Sequence, residues 1–182
     1  MQTIRVAALT GMIVALVAAT SQAQVEVSGV HLCCGMCVKA IGETLGGVEG
    51  VSNASCDRDA KTVTFTAAGD EAEKAALAAL STAGFYGTAR VGNRELKFPT
   101  DKVEKGASSD EIVFYGVHLC CGGCVKVVGE ALKDLGEPSC DREARTVTLK
   151  GSEISVAKAL ATLNKAGFNG SLTKPEEKKE DK

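Results

Sequence analysis

Apolar and polar positions change their period several times along the chain. Residues 25–32 alternate loosely and predict a strand. Cys37, Ala40, Ile41 and Leu45 then recur at helical spacing, predicting a helix over 36–45. Residues 51–56 read as a short strand, followed by an Asp-Arg-Asp-Ala turn at 57–60. Residues 62–66 alternate strictly and are β-branched at every second position, which predicts another strand. The Ala- and Leu-rich stretch 71–83 predicts a helix closed by Gly84, and 85–91 a last strand. The order is β-α-β-β-α-β.

The same order returns further along the chain, at 111–119, 123–135, 138–140, 145–150, 153–166 and 168–172. The repeat is nearly letter for letter between residues 29–39 and 116–126, with His118 answering His31 and Cys124 answering Cys37 at a constant offset. This element order is the split βαβ arrangement, so the expected architecture is α+β, two tandem ferredoxin-like βαββαβ domains at 24–91 and 111–173. Each unit is small enough to be marginal on its own core and to need a staple such as a disulfide or a metal. The polar segment 92–110 between them reads as a linker. As a flexible chain its nineteen residues would span roughly 25 Å, so the units can meet without sharing a core. Residues 174–182 are almost all charged and are expected to be disordered.

The amino terminus changes the chemical setting. Arg5 precedes an apolar run from Val6 to Ala19, broken only by Thr10 and Gly11, and Ser21-Gln-Ala23 fits a small-x-small cleavage site. Residues 1–23 are therefore expected to be a signal peptide. The mature chain would begin at Gln24 and be exported, periplasmic or extracellular, with no membrane span left after cleavage. Export carries eight cysteines into an oxidising compartment. The formal net charge of −2 provides no electrostatic footprint for nucleic acid.

Those cysteines carry the candidate chemistry. In Cys34-Gly-Met-Cys37 and Cys121-Gly-Gly-Cys124 a strand ends and a helix begins. Two thiols two residues apart can converge there, facing free amides and the positive end of the helix dipole. Both influences favour thiolate. Paired thiolates suit a soft monovalent ion such as Cu(I), Zn(II) if more ligands join, or a reversible disulfide. Met36 is replaced by Gly123 in the second unit, so a thioether is not part of the shared design.

The stretch from Val30 to Ile41 and its repeat resemble the heavy-metal-associated domain family, which includes copper chaperones, the amino-terminal modules of copper-transporting P-type ATPases and the periplasmic mercury-binding protein. The family motif, an apolar residue, any residue, then Cys-x-x-Cys, is matched from Leu32 to Cys37 and from Leu119 to Cys124. Ala83-Gly84-Phe85 and Ala166-Gly167-Phe168 resemble the family's Gly-aromatic corner before its last strand. The resemblance implies that Cys34, Cys37, Cys121 and Cys124 ligate a metal ion, Cu(I) first, with Zn(II), Hg(II) or Cd(II) as other cargoes. It also implies transfer to a partner protein by ligand exchange, not an enzyme's bond-making chemistry.

Cys33, Cys120, Cys56 and Cys140 depart from the family pattern. They admit three readings: disulfides Cys33–Cys56 and Cys120–Cys140, additional metal ligands, or small buried residues. Compartment and size favour the disulfides. His31 and His118, the chain's two histidines, are further candidate ligands, or side chains on a solvated or hydrogen-bonded strand. Two other functions stay open: a disulfide-stapled interaction module without metal, and a thiol-disulfide exchanger. For the latter the three prolines offer no matched partner to the Cys-x-x-Cys.

Overall fold

The computed structural model describes residues 22–174. In the first module β1 (Gln22–Ser28) leads to α1 (Gly35–Gly46), β2 (Val51–Asp57), β3 (Thr62–Ala68), α2 (Asp70–Thr82), β4 (Thr88–Val91) and β5 (Arg94–Leu96). The second module continues with β6 (Ser108–Phe114), α3 (Gly122–Leu132), β7 (Glu137–Asp141), β8 (Thr146–Ser155) and α4 (Val156–Lys165). The strands pair antiparallel in the orders β2-β3-β1-β4-β5 and β6-β8-β7. The α+β, ferredoxin-like class follows from this topology. No helix among the described residues is long and apolar enough to cross a membrane. The expected signal peptide lies outside the described residues except for Gln22 and Ala23, which pair with Ala68 and Ala67 in β1. Residues 175–182 of the expected tail also lie outside.

The hydrophobic periods account for the elements. β3 buries Val63, Phe65 and Ala67 and turns its threonines outward, the two-residue alternation of a half-buried strand. α1 buries Cys37, Ile41 and Leu45, and α3 buries Cys124, Val128 and Leu132, one residue per turn on one stripe. The first thiol-bearing position of each helix interior is therefore a core position. Gly29, at φ 78°, turns the chain out of β1 earlier than the alternation predicts.

Three expectations change. β8 continues through Ser155, where a helix was predicted to have begun, because its end pairs with Ser108 and Ser109 of β6. The predicted strand at 168–172 is reduced to isolated bridges, Phe85 to Phe168 and Tyr115 to Ser171. Within 92–110, read as a linker, β5 pairs with β4 and Arg94 holds the buried Glu73 carboxylate through two 2.9 Å bonds. Phe98 is buried, and the Asp101 carboxylate accepts from Ser171 Oγ and the Leu172 amide. The segment is thus folded onto both modules, and the buried apolar side chains of the two form one continuous cluster.

The modules dock reciprocally through their Gly-Phe corners. Phe168 stacks on His31 at 4.4 Å between ring centroids, and Phe85 on His118 at 4.3 Å. The His31 and Tyr86 amides donate to the Gly167 carbonyl, while the Asn169 amide donates to that of Gly84. Arg145 crosses the boundary to donate to the Ala83 carbonyl at 2.7 Å. Gly84 and Gly167 adopt φ of 92° and 88°. A Cβ on Gly84 would run into the backbone at Gly116 and His118, and one on Gly167 into Gly29 and His31. Only glycine satisfies both the backbone angle and the close approach.

Two outcomes are expected. Gly84→Ala combined with Gly167→Ala costs about 1–3 kcal/mol per site from backbone strain alone and separates the modules, seen as lower unfolding stability and a larger radius of gyration in solution scattering. Arg94→Ala strands the Glu73 carboxylate and lowers stability by about 1–3 kcal/mol, measured by denaturant unfolding.

Candidate metal centre

Each cysteine loop is built the same way. Cys34 and Cys121 stand at the N-caps of α1 and α3 in extended conformation, with φ of −154° and −151°. The amides of the first helical turn lack intrahelical acceptors there, and the dipole's positive end faces the sulfurs. Cys37 and Cys124 lie one turn in, fully buried. Behind each loop sits the Asp-Arg turn. Asp57 Oδ1 accepts from the Asp59 and Ala60 amides, and Asp141 Oδ1 from those of Glu143 and Ala144, all at 2.9 Å. This turn aims Arg58 at the Cys33 carbonyl, at 3.0 Å, and Arg142 at the Cys120 carbonyl, at 2.7 Å.

Because the Gly-Phe corners clasp the two modules face to face, the loops meet. Cys33 Sγ lies 3.3 Å from Cys121 Sγ and 3.6 Å from Cys124 Sγ. Cys120 Sγ lies 3.6 Å from Cys34 Sγ and 3.5 Å from Cys37 Sγ. Within each loop, Cys33 and Cys120 stand 3.6 Å from Cys37 and Cys124, and the Cys-x-x-Cys pairs are 4.0 and 3.9 Å apart. Two four-thiol sets have their sulfurs mutually within 4.8 Å: Cys33, Cys34, Cys120 and Cys121, and Cys33, Cys37, Cys120 and Cys124.

Six sulfurs this close cannot all be charged without cations. Two thiolates 4 Å apart repel by about 4 kcal/mol at an effective dielectric constant of about 20. Without a cation, protons must stay on some of the thiols. The neighbouring Cys124 thiol holds the Cys37 thiol well below its ordinary range, and Cys37 in turn pushes Cys124 up. The backbone amides of Cys124 and Gly123, with Cys33, bring Cys121 down to about 6. Burial is the main cause raising Cys33 and Cys120.

The disulfides expected for Cys33–Cys56 and Cys120–Cys140 are not formed; all eight cysteines are free. Cys33 and Cys120 turn toward the opposite module instead. Cys56 and Cys140 sit half-buried on β2 and β7, opposite Val63 and Val147, and burial raises both thiols. Neither joins the four-thiol sets, and nor does either histidine. His31 and His118 are consumed by the stacks on Phe168 and Phe85, with both Nε2 atoms buried and without a hydrogen-bond partner. Burial lowers the His31 pKa. Met36 is exposed. The sequence reading missed Arg58 and Arg142. Their signal was present in the repeated Asp-Arg after Cys56 and Cys140.

Mild oxidation of the reduced chain is expected to join the modules covalently, with Cys33–Cys121 foremost, detected by peptide mapping without reduction. Recovery of Cys33–Cys56 instead would contradict the geometry.

The family model of the heavy-metal-associated domain matches residues 24–85. The chain is similar in structure to the apo form of the HMA domain of copper chaperone for superoxide dismutase, at 17% identity and TM-score 0.31, over 58% of this chain and 98% of that one. It is also similar to the N-terminal soluble domains of Bacillus subtilis CopA, at 14% identity and TM-score 0.31, over 83% of this chain and 93% of that one. No curated protein is significantly similar to it. The match to the heavy-metal-associated domain falls within the first module, and the facing cysteines of the two modules form a donor set able to hold a metal ion.

Proposed function

We propose that this protein is an exported carrier, buffer or scavenger of a soft metal ion, Cu(I) foremost, held by Cys34, Cys37, Cys121 and Cys124. The observation that carries this reading is the convergence of paired thiols at two helix N-termini, backed by amides that favour thiolate. An all-sulfur donor set selects soft ions over hard ones. Zn(II), Cd(II) and Hg(II) meet the same preference. Binding releases the protons the thiols hold.

Release follows from the same chemistry. Cys34 and Cys121 remain partly accessible while Cys37 and Cys124 are buried. A partner protein's thiolate would reach the ion from the open side and replace the ligands one at a time, with no net redox change. Export rests on the amino-terminal run Val6–Ala19 after Arg5.

Native mass spectrometry of the anaerobically reduced chain, titrated with Cu(I), tests the reading. Uptake should resist a moderate chelator and vanish when Cys34, Cys37, Cys121 and Cys124 are all replaced by serine. If the reduced wild-type chain takes up no soft metal, the proposal fails.

A further inference from the structure

The two four-thiol sets share two members, Cys33 and Cys120. The two sets meet along the Cys33–Cys120 pair, as two tetrahedral sites would share an edge. Cys34 and Cys121 complete one, and Cys37 and Cys124 complete the other. A tetrahedral centre with metal–sulfur bonds of about 2.3 Å has sulfurs about 3.8 Å apart. Within the two sets the six closest sulfur pairs lie 3.3 to 3.6 Å apart, and every pair lies within 4.8 Å.

From this arrangement we propose that the closed protein holds two metal ions at once, bridged by the Cys33 and Cys120 thiolates. The proposal rests on the metal-binding reading above and adds its nuclearity. Neither ion belongs to one module, since each tetrahedron takes two sulfurs from each side. Charge selects the kind of ion. Six thiolates around two divalent ions leave two negative charges, and Arg58 and Arg142 bring two guanidinium groups onto the carbonyls of the two bridging residues. Two monovalent ions would leave four negative charges against the same two cations. The bridged, four-coordinate form therefore suits a divalent d10 ion, whereas Cu(I) can rest on one module's pair in lower coordination. The bridges also explain why an extra cysteine stands beside each Cys-x-x-Cys: a single module's site has no need of it.

The test is ¹¹³Cd NMR of the full, anaerobically reduced chain saturated with ¹¹³Cd(II). Two cadmium resonances of equal intensity are expected. The β-protons of Cys33 and Cys120 should correlate with both, those of Cys34 and Cys121 with one, and those of Cys37 and Cys124 with the other. The variant Cys33→Ser with Cys120→Ser should drop from two bound ions to one while far-UV circular dichroism stays unchanged. A single ion in the wild-type chain, or two ions each correlating with one module's cysteines alone, overturns the bridged centre and leaves the metal-binding reading intact. Absence of any uptake of cadmium or Cu(I) overturns both.

Discussion

The thiol centre depends on the reciprocal clasp between each Gly-Phe corner and the other module's His-bearing loop. Phe85 and Phe168 are fully buried, and burying one such side chain stabilises by about 1.5–3 kcal/mol. The clasp is self-complementary: glycine on each side opens the approach, phenylalanine fills it, and histidine supplies the surface beneath the ring. Loosening either half would move three sulfurs away from the other three.

That clasp is opposed by what it brings together. Cys33, Cys34 and Cys37 meet Cys120, Cys121 and Cys124 at contact distance, and each additional thiolate raises the repulsion by several kcal/mol. A folded domain has only about 5–15 kcal/mol of net stability. Without a cation the conflict is relieved only by keeping protons on some of the thiols. A cation relieves it more completely. Docking of the modules and occupation of the site are therefore coupled: whatever neutralises the sulfurs also favours the closed pair.

Much of the fold was legible along the chain. The repeated hydrophobic periods located most of the helices and strands, and the doubled Cys-x-x-Cys marked the two loops that the fold brings together. The errors share a cause. β8 runs past Lys150 because Ser108 and Ser109 offer it a partner that local pattern does not reveal. The last strand of the second module dissolves into bridges because Phe168 is recruited by the first module. Arg94 and Phe98, unremarkable within a polar segment, find Glu73 and the core only after folding.

The cysteine reading divides along the same line. Spacing within one loop is a local property, and it identified Cys34, Cys37, Cys121 and Cys124 as convergent pairs. Where Cys33 and Cys120 point is decided between modules. Sequence offered them a disulfide within their own unit; the docked structure turns them across the boundary, into a cluster neither unit could form alone. Sequence by itself determined the elements, the duplication and the paired thiols, since these depend on residues a few positions apart. Tertiary structure decided that the two copies face each other, because that follows from surfaces far apart in the chain fitting together.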